Sequence, residues 1–389
     1  MNAFETIHIE GFRRLNDVRL SLKPLNVVIG ANGSGKTSLL DLFSLLAASA
    51  SGRLNDAISD LGGIDANLTN LLAVNGEKAR FLAFDLAMGV PGHNPIEYRI
   101  ALAPKGVGYE ISDETLTQVQ DKPQPFRHIE AHHGDVRYFD PRTPKKKLKR
   151  PNWDYNPAES ALSQVPKMFR EPEDFRKRLA SSTHYHVLDV GRRAPIRLPQ
   201  QLRDAQLPGH DGEDLVSCLY TLRETDPDRF ETIEATLRAG FPDFERLSFP
   251  AVAAGTLAMT WKEKTSRNPF YMHQLSEGTL RFLWLVTLFQ SPGLTAVTMI
   301  DEPEVSLHPE LLSLLADLLR EASQRTQLIV ATHADRLIRF LRPSEVVTID
   351  VNVEGMAEMR RADELDLDRW LEDYTLDEVW QMGRIGARP

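Results

Sequence analysis

Residues 25–37 read Leu25-Asn26-Val27-Val28-Ile29-Gly30-Ala31-Asn32-Gly33-Ser34-Gly35-Lys36-Thr37. A largely apolar run of strand length, of the kind covered on both faces, passes straight into a glycine-rich turn. Beyond the turn, Leu39, Leu40, Phe43, Leu46 and Ala47 recur at helical spacing. The order is therefore strand, glycine loop, helix, and Gly30 to Thr37 fill the GxxxxGK[ST] pattern of a phosphate-binding loop. Glycines let the backbone curl until several N–H groups point at phosphate oxygens, at the positive end of the helix that follows. Asn32, Gly33, Ser34, Gly35 and Ser38 belong to this cradle, Lys36 is placed to reach the outer phosphates, and the Thr37 hydroxyl is placed to ligate Mg2+.

A phosphate loop needs a second group to hold magnesium. Val297-Thr298-Met299-Ile300-Asp301-Glu302 supplies one, as an acidic pair ending a buried strand. Asp301 is expected to bind Mg2+ through water and Glu302 to polarise the attacking water for in-line displacement. Leu275-Ser276-Glu277-Gly278-Thr279 opens a helical run 25 residues before Asp301, counted from Ser276, and His333 follows the next strand 31 residues after Glu302. A serine hydroxyl and free amides at a helix start make another anion site. One chain has one terminal phosphate to bind, so a second anion site implies a second subunit.

Around these motifs the composition is that of an ordinary globular chain: 389 residues, 42% hydrophobic and 26% charged, with a net charge of −9. An acidic balance excludes a protein coated all round for nucleic acid, so any such contact must be a local patch. The single Cys218 excludes a disulfide framework within one chain and any cysteine-based metal cage. Glu5 and Glu10 stand where a signal peptide would need an apolar core, and no run of eighteen apolar residues occurs. The expectation is a cytoplasmic protein with no membrane contact.

Strands are expected through Ile7 and Ile9, over Val18 to Leu22, over Ala296 to Ile300 and over Leu328 to Ala331. Helices are expected over Asp214 to Arg223, Arg229 to Ala239, Leu280 to Phe289 and Leu311 to Ala322. Alternating strands and helices imply a parallel sheet with helices on its faces. Between about 85 and 250 the pattern weakens, and 17 of the 24 prolines lie there, which excludes a long coiled-coil arm. The division expected is a head in two parts, residues 1–84 and 257–350, an insertion over 85–256, and an acidic tail over 351–389. Glu354 to Glu378 carries ten acids against three arginines and reads as a solvated face or tail.

The order of phosphate loop, LSEGT, IDEPEVSLHP and ATH resembles the ABC-type ATPase heads of SMC and RecF-like proteins, within a broad group of AAA-family ATPases related to the ATPase half of OLD-family nucleases. The opening IEGFRRLNDVRLSLKPLNVVIGANGSGKTSLL is similar to the first strands of those heads. The resemblance covers roughly residues 1–80 and 260–350. It implies an α/β head with a parallel core sheet, antiparallel N-terminal strands and a large mixed insertion, and an enzyme that hydrolyses ATP with Mg2+. It further implies a homodimer assembled on ATP, in which Leu275, Ser276, Glu277 and Gly278 close on nucleotide held by the other subunit. Ser306 matches the loop that crosses the seam, and His333 the histidine that senses the terminal phosphate. The magnesium-binding glutamine of transporter-type relatives is missing, since the first Gln after Lys36 is Gln118. Asn67, Asn70 and Asn75 are the candidates to replace it.

Arg142 to Arg150 adds a charge cluster, with Lys145, Lys146, Lys147, Lys149 and Arg150 placed to neutralise DNA phosphates without reading sequence. Trp153 and Tyr155 nearby could stack on bases, whereas the alternative for the run is a solvated loop. Two functions compete: an ATPase acting on DNA in repair or in defence against foreign DNA, and an ATP-gated scaffold controlling a separately encoded nuclease or toxin. Only 56 residues follow His333, too few for an appended TOPRIM nuclease, so cleavage would fall to a partner. A transporter motor is disfavoured by the 238 residues between Lys36 and Leu275.

Overall fold

The structure, a computed structural model, describes residues 3–70, 79–119, 125–140, 148–166 and 170–386. Its centre is a six-stranded sheet in the order Ser182–Tyr185, Val297–Asp301, Gln327–Thr332, Leu25–Ile29, Val346–Val351, Ala357–Arg361. The first five strands are parallel and the last is antiparallel to its neighbour. Leu25–Ile29 and Gln327–Thr332 are buried along their whole length, which is why they read as largely apolar runs. Val27, Ile29, Ile300, Leu328 and Val330 face one core, while Val28, Met299, Ile329 and Ala331 face the other.

The second core is shared with an antiparallel sheet of eight strands in the order Val18–Ser21, Ala3–Glu10, Leu82–Val90, His93–Lys105, Gly108–Gln118, Phe126–His132, Asp135–Phe139, Leu148–Lys149. Helix Lys36–Ala50 packs in that core with eleven buried residues. On the opposite face of the central sheet, helices Leu215–Thr225, Pro227–Gly240, Glu277–Gln290 and Leu311–Ser323 contribute to the first core. The second of these begins as its sequence dictates: Pro227 occupies the first turn and the Asp226 carboxylate accepts from the Arg229 amide at 3.2 Å.

Three expected boundaries shift. Strand Leu82–Val90 crosses the 84/85 division, so the first part of the head and the insertion share one sheet. Ser182–Tyr185, from the middle of the supposed insertion, is an edge strand of the central sheet. The expected acidic tail is structural: Ala357–Arg361 extends the central sheet, and Leu376–Gln381 buries Val379 and Trp380. Buried Arg361 ties it down by donating to the Ser21 carbonyl at 2.7 Å, Asn26 Oδ1 at 2.9 Å and the Ser344 carbonyl at 2.7 Å. Glu354, Glu358, Asp363, Glu364 and Asp366 keep the outer side wet while the apolar residues between them enter the core. Among the described residues no helix is long and apolar enough to cross a membrane.

Candidate nucleotide-binding site

Parallel register brings three strand ends together, with Ile29 beside Thr332 and Ala331 beside Asp301. Gly30, His333 and Glu302 therefore leave the sheet side by side, at the carboxyl edge where open α/β sheets take their ligands. The loop itself needs its glycines. A Cβ on Gly30 would sit 2.3 Å from the Ile349 carbonyl oxygen, and Gly35, which caps helix Lys36–Ala50, has φ 117°. Ser34 Oγ is buried beside Gly30 with no hydrogen-bond partner. Lys36 Nζ donates to the Gly30 carbonyl at 2.6 Å and the Ala31 carbonyl at 3.0 Å. Burial pulls its pKa down, against the opposing pull of Glu302, Asp301 and Glu304. Asn32 and Gly33 stay exposed at the loop tip, while Thr37 and Ser38 start the helix.

Asp301 ends its strand half-buried, and desolvation, then the neighbouring Glu302 carboxylate, raises its pKa against His186 and Lys36. Glu302 takes φ 46°, a conformation uncommon outside glycine, with its amide donating to the Ala331 carbonyl at 2.8 Å. That turn brings its carboxylate to His333, where Oε1 lies 2.9 Å from Nδ1. Sequence reasoning overlooked Glu304. It is buried, its pKa is raised by burial, and it accepts from Thr332 Oγ1 at 2.5 Å; Thr332 Oγ1 in turn accepts from the Ala334 amide at 3.0 Å. This chain fixes the turn carrying His333. Glu304 lies in the quoted IDEPEVSLHP, but a carboxylate used for positioning has no spacing rule of its own.

The segment expected to form a second anion site stands at the start of helix Glu277–Gln290. Ser276 caps it, Oγ accepting from the Thr279 amide at 3.1 Å, while Leu275 is buried beneath. Gly278 is required there because a Cβ would lie 2.5 Å from the Ser306 carbonyl oxygen. Ser306, itself at φ 62°, thus presses its loop against this helix start within one subunit. Arg197 was not anticipated; its Nη1 donates to the Leu275 carbonyl at 2.9 Å and its Nε to the Val190 carbonyl at 2.7 Å, holding the segment in place.

Of the asparagine candidates, Asn67 has its side chain engaged elsewhere. Asn67 is buried, its amide donates to the carbonyls of Leu61 at 3.0 Å and Gly63 at 2.8 Å, and its oxygen accepts from Arg13 Nε at 3.0 Å. Asn70 is an exposed residue after the short helix that ends at Asn67, and Asn75 lies outside the described residues. Lys145, Lys146 and Lys147 of the basic run also lie outside them. Lys149 pairs with Asp140, and Arg150 Nε lies 2.8 Å from Asp135 Oδ1, so both cations face in-chain carboxylates. Trp153 packs on Tyr138 with ring centroids 5.3 Å apart, and the Tyr155 hydroxyl donates to the Glu159 carbonyl at 3.1 Å, which occupies both aromatics in the body.

A family model described as "AAA domain, putative AbiEii toxin, Type IV TA system" matches residues 25–339. No curated protein matches. Among solved structures, an Smc head bound to the C-winged helix domain of ScpA is similar over 95% of this chain and 99% of that one, with TM-score 0.55 and 15% identity. An Smc head with an extended coiled coil bound to the C-terminal domain of ScpA, from Pyrococcus furiosus, is similar over 96% and 98% with TM-score 0.54 and 12% identity. An Smc head with a coiled coil and joint from Pyrococcus yayanosii covers 96% and 99% with TM-score 0.51 and 11% identity. At such identities these likenesses establish the fold, that of an ABC-type ATPase head. The match from the phosphate-loop strand to the segment after His333 places the chain in the AAA-domain family whose model bears the AbiEii name.

Proposed function

We propose that the protein binds and hydrolyses ATP between two copies of itself and uses the cycle to act on DNA, in repair or in defence against foreign DNA. The observation that carries the reading is the meeting of Gly30, Glu302 and His333 at adjacent strand ends, with Glu302 held 2.9 Å from His333. The residues fit a nucleotide with Mg2+: an unpartnered Ser34 hydroxyl in a glycine cradle, a lysine in the same loop, and a carboxylate at the end of the next strand but one. Thr37 and Asp301 would hold the magnesium, whose charge neutralises the phosphates. Lys36 exchanges its bonds to loop carbonyls for phosphate oxygens. Glu302 takes a proton from the attacking water, and His333, whose Nδ1 lies 2.9 Å from it, keeps that carboxylate aimed. Ser276 and the amides of the helix it caps complete the site from the second subunit.

Pairing of Lys149 and Arg150 with carboxylates weakens the case for the basic run as a DNA clamp. Together with the toxin–antitoxin wording of the family description, this favours a second reading, an ATP-gated scaffold that controls a separately encoded nuclease or toxin. Whether duplex DNA accelerates turnover by the purified protein alone separates the two.

Two substitutions test the ATP chemistry. Lys36→Ala should remove the phosphate clamp and most nucleotide affinity. Glu302→Gln should keep binding and lower turnover by about 10²–10⁴-fold, because an amide cannot accept the proton. Binding titrations set against phosphate release decide it, and equal turnover in Glu302→Gln and wild type removes Glu302 from the role.

A further inference from the structure

We propose that His184, His186 and Asp301 form a site for a divalent transition-metal ion of the manganese, cobalt or zinc class at the edge of the central sheet. The topology makes the site. Strand Ser182–Tyr185 runs parallel to Val297–Asp301 with His184 opposite Met299 and Tyr185 opposite Ile300, so the next residue, His186, falls beside Asp301. Residues two apart in an extended chain point to the same side, which brings both imidazoles together. Their ring centroids are 4.1 Å apart, and one ligand atom from each of the three residues lies within 4.8 Å of the other two. Metal–ligand bonds of about 2.0–2.2 Å put the ligand atoms of one ion roughly 3–3.5 Å apart, within reach of small side-chain rotations.

The hydrogen bonding around His184 prepares it for the role. Its Nδ1 lies 3.5 Å from Ser44 Oγ on helix Lys36–Ala50, whereas its Nε2 is buried with no partner. A metal-binding imidazole usually gives its other ring nitrogen to an oxygen that fixes the ring, and the Ser44 hydroxyl stands in that position here. The donor chemistry selects the ion. Two imidazoles and one carboxylate suit manganese, cobalt or zinc, whereas Mg2+ is served by oxygen ligands such as Thr37 and Asp301. Three protein ligands also leave a coordination position open for water or a phosphate oxygen. Asp301 is common to this set and to the nucleotide site, but the ion needs no nucleotide to bind.

The test is a cobalt(II) titration of the untagged, chelator-treated, nucleotide-free full chain, followed by visible absorption and equilibrium dialysis. Wild type should take up one tightly held equivalent with the ligand-field band of an imidazole-bound ion. His186 is exposed, so His186→Ala leaves the packing intact and should weaken cobalt binding by at least about tenfold, the lower end of what even outer-shell changes cost. His184→Ala should do the same. Lys36→Ala should bind cobalt at least as tightly as wild type, since it removes a cation that acts on Asp301, while losing nucleotide, which separates this site from the phosphate clamp. Absence of stoichiometric uptake in wild type, or unchanged affinity in His186→Ala, overturns the proposal while leaving the ATP reading untouched; failure of wild type to bind ATP would overturn that reading and leave the cobalt result standing.

Discussion

At the scale of single residues the site is built from groups held in costly states. Asp301 carries a raised pKa because it is desolvated beside Glu302, and Glu302 itself stands at φ 46°. Strain and like charge persist at such a place only when the surrounding sheet imposes them. The sign of the consequence can be worked out. A carboxyl whose pKa is raised by folding holds its proton to a higher pH than in the unfolded chain, so above the folded pKa its charge reduces stability. Asp301→Asn removes that charge and should raise the melting temperature of the nucleotide-free protein at neutral pH, on the order of 1–3 °C. The same substitution should abolish magnesium-dependent turnover. Thermal melts followed from neutral pH down into the ordinary carboxylate range should show the gain shrinking on acidification; a lower melting temperature at every pH would mean that Asp301 stabilises the fold.

At the scale of elements, the basic run divides into parts with different work. Lys149 and Arg150 are engaged with Asp140 and Asp135, so replacing both with Gln should leave duplex binding and its salt dependence unchanged. Replacing Lys145, Lys146 and Lys147 should, if DNA is the partner, weaken binding about equally for all sequences and flatten the log affinity against log salt plot by roughly 0.9 per lost contact. Filter binding across a salt series reads this directly, and a steeper loss from the Lys149 and Arg150 pair would contradict the division. The elements themselves were unequally legible. Leu25–Ile29, Lys36–Ala50, Glu277–Gln290 and Leu311–Ser323 declare themselves, because continuous burial and helical periodicity leave strong patterns. The antiparallel strands of the middle region were not recognised, although Leu82, Phe84, Leu86 and Met88, then Ile96, Tyr98, Ile100 and Leu102, alternate at period two. Prolines at 91, 95 and 104 lie in or beside those strands and disguised the alternation. Ser182–Tyr185 offered no signal, since Ser182, Thr183 and His184 are polar and its place depends on the partner strand.

At the scale of the molecule, two cores meet across one central sheet, and the phosphate loop, Glu302 and His333 share its carboxyl edge. The motifs were readable one by one because each has a fixed spacing. What no spacing conveys is the support: Glu304 holding Thr332, Arg197 holding Leu275, and Arg361 stitching the terminal strand to Ser21 and Asn26. Ser276 caps an exposed helix start, the place proposed to meet nucleotide held by the other subunit. The central claim is that ATP joins two subunits there, and light scattering of Glu302→Gln with and without Mg-ATP tests it most directly. The account predicts a shift from 43.9 kDa to twice that mass on adding ATP, abolished by a further Ser276→Arg substitution that leaves ATP affinity of the single subunit nearly intact. A species that stays at 43.9 kDa with ATP bound, from a protein whose wild type hydrolyses ATP at full rate as a monomer, would contradict it.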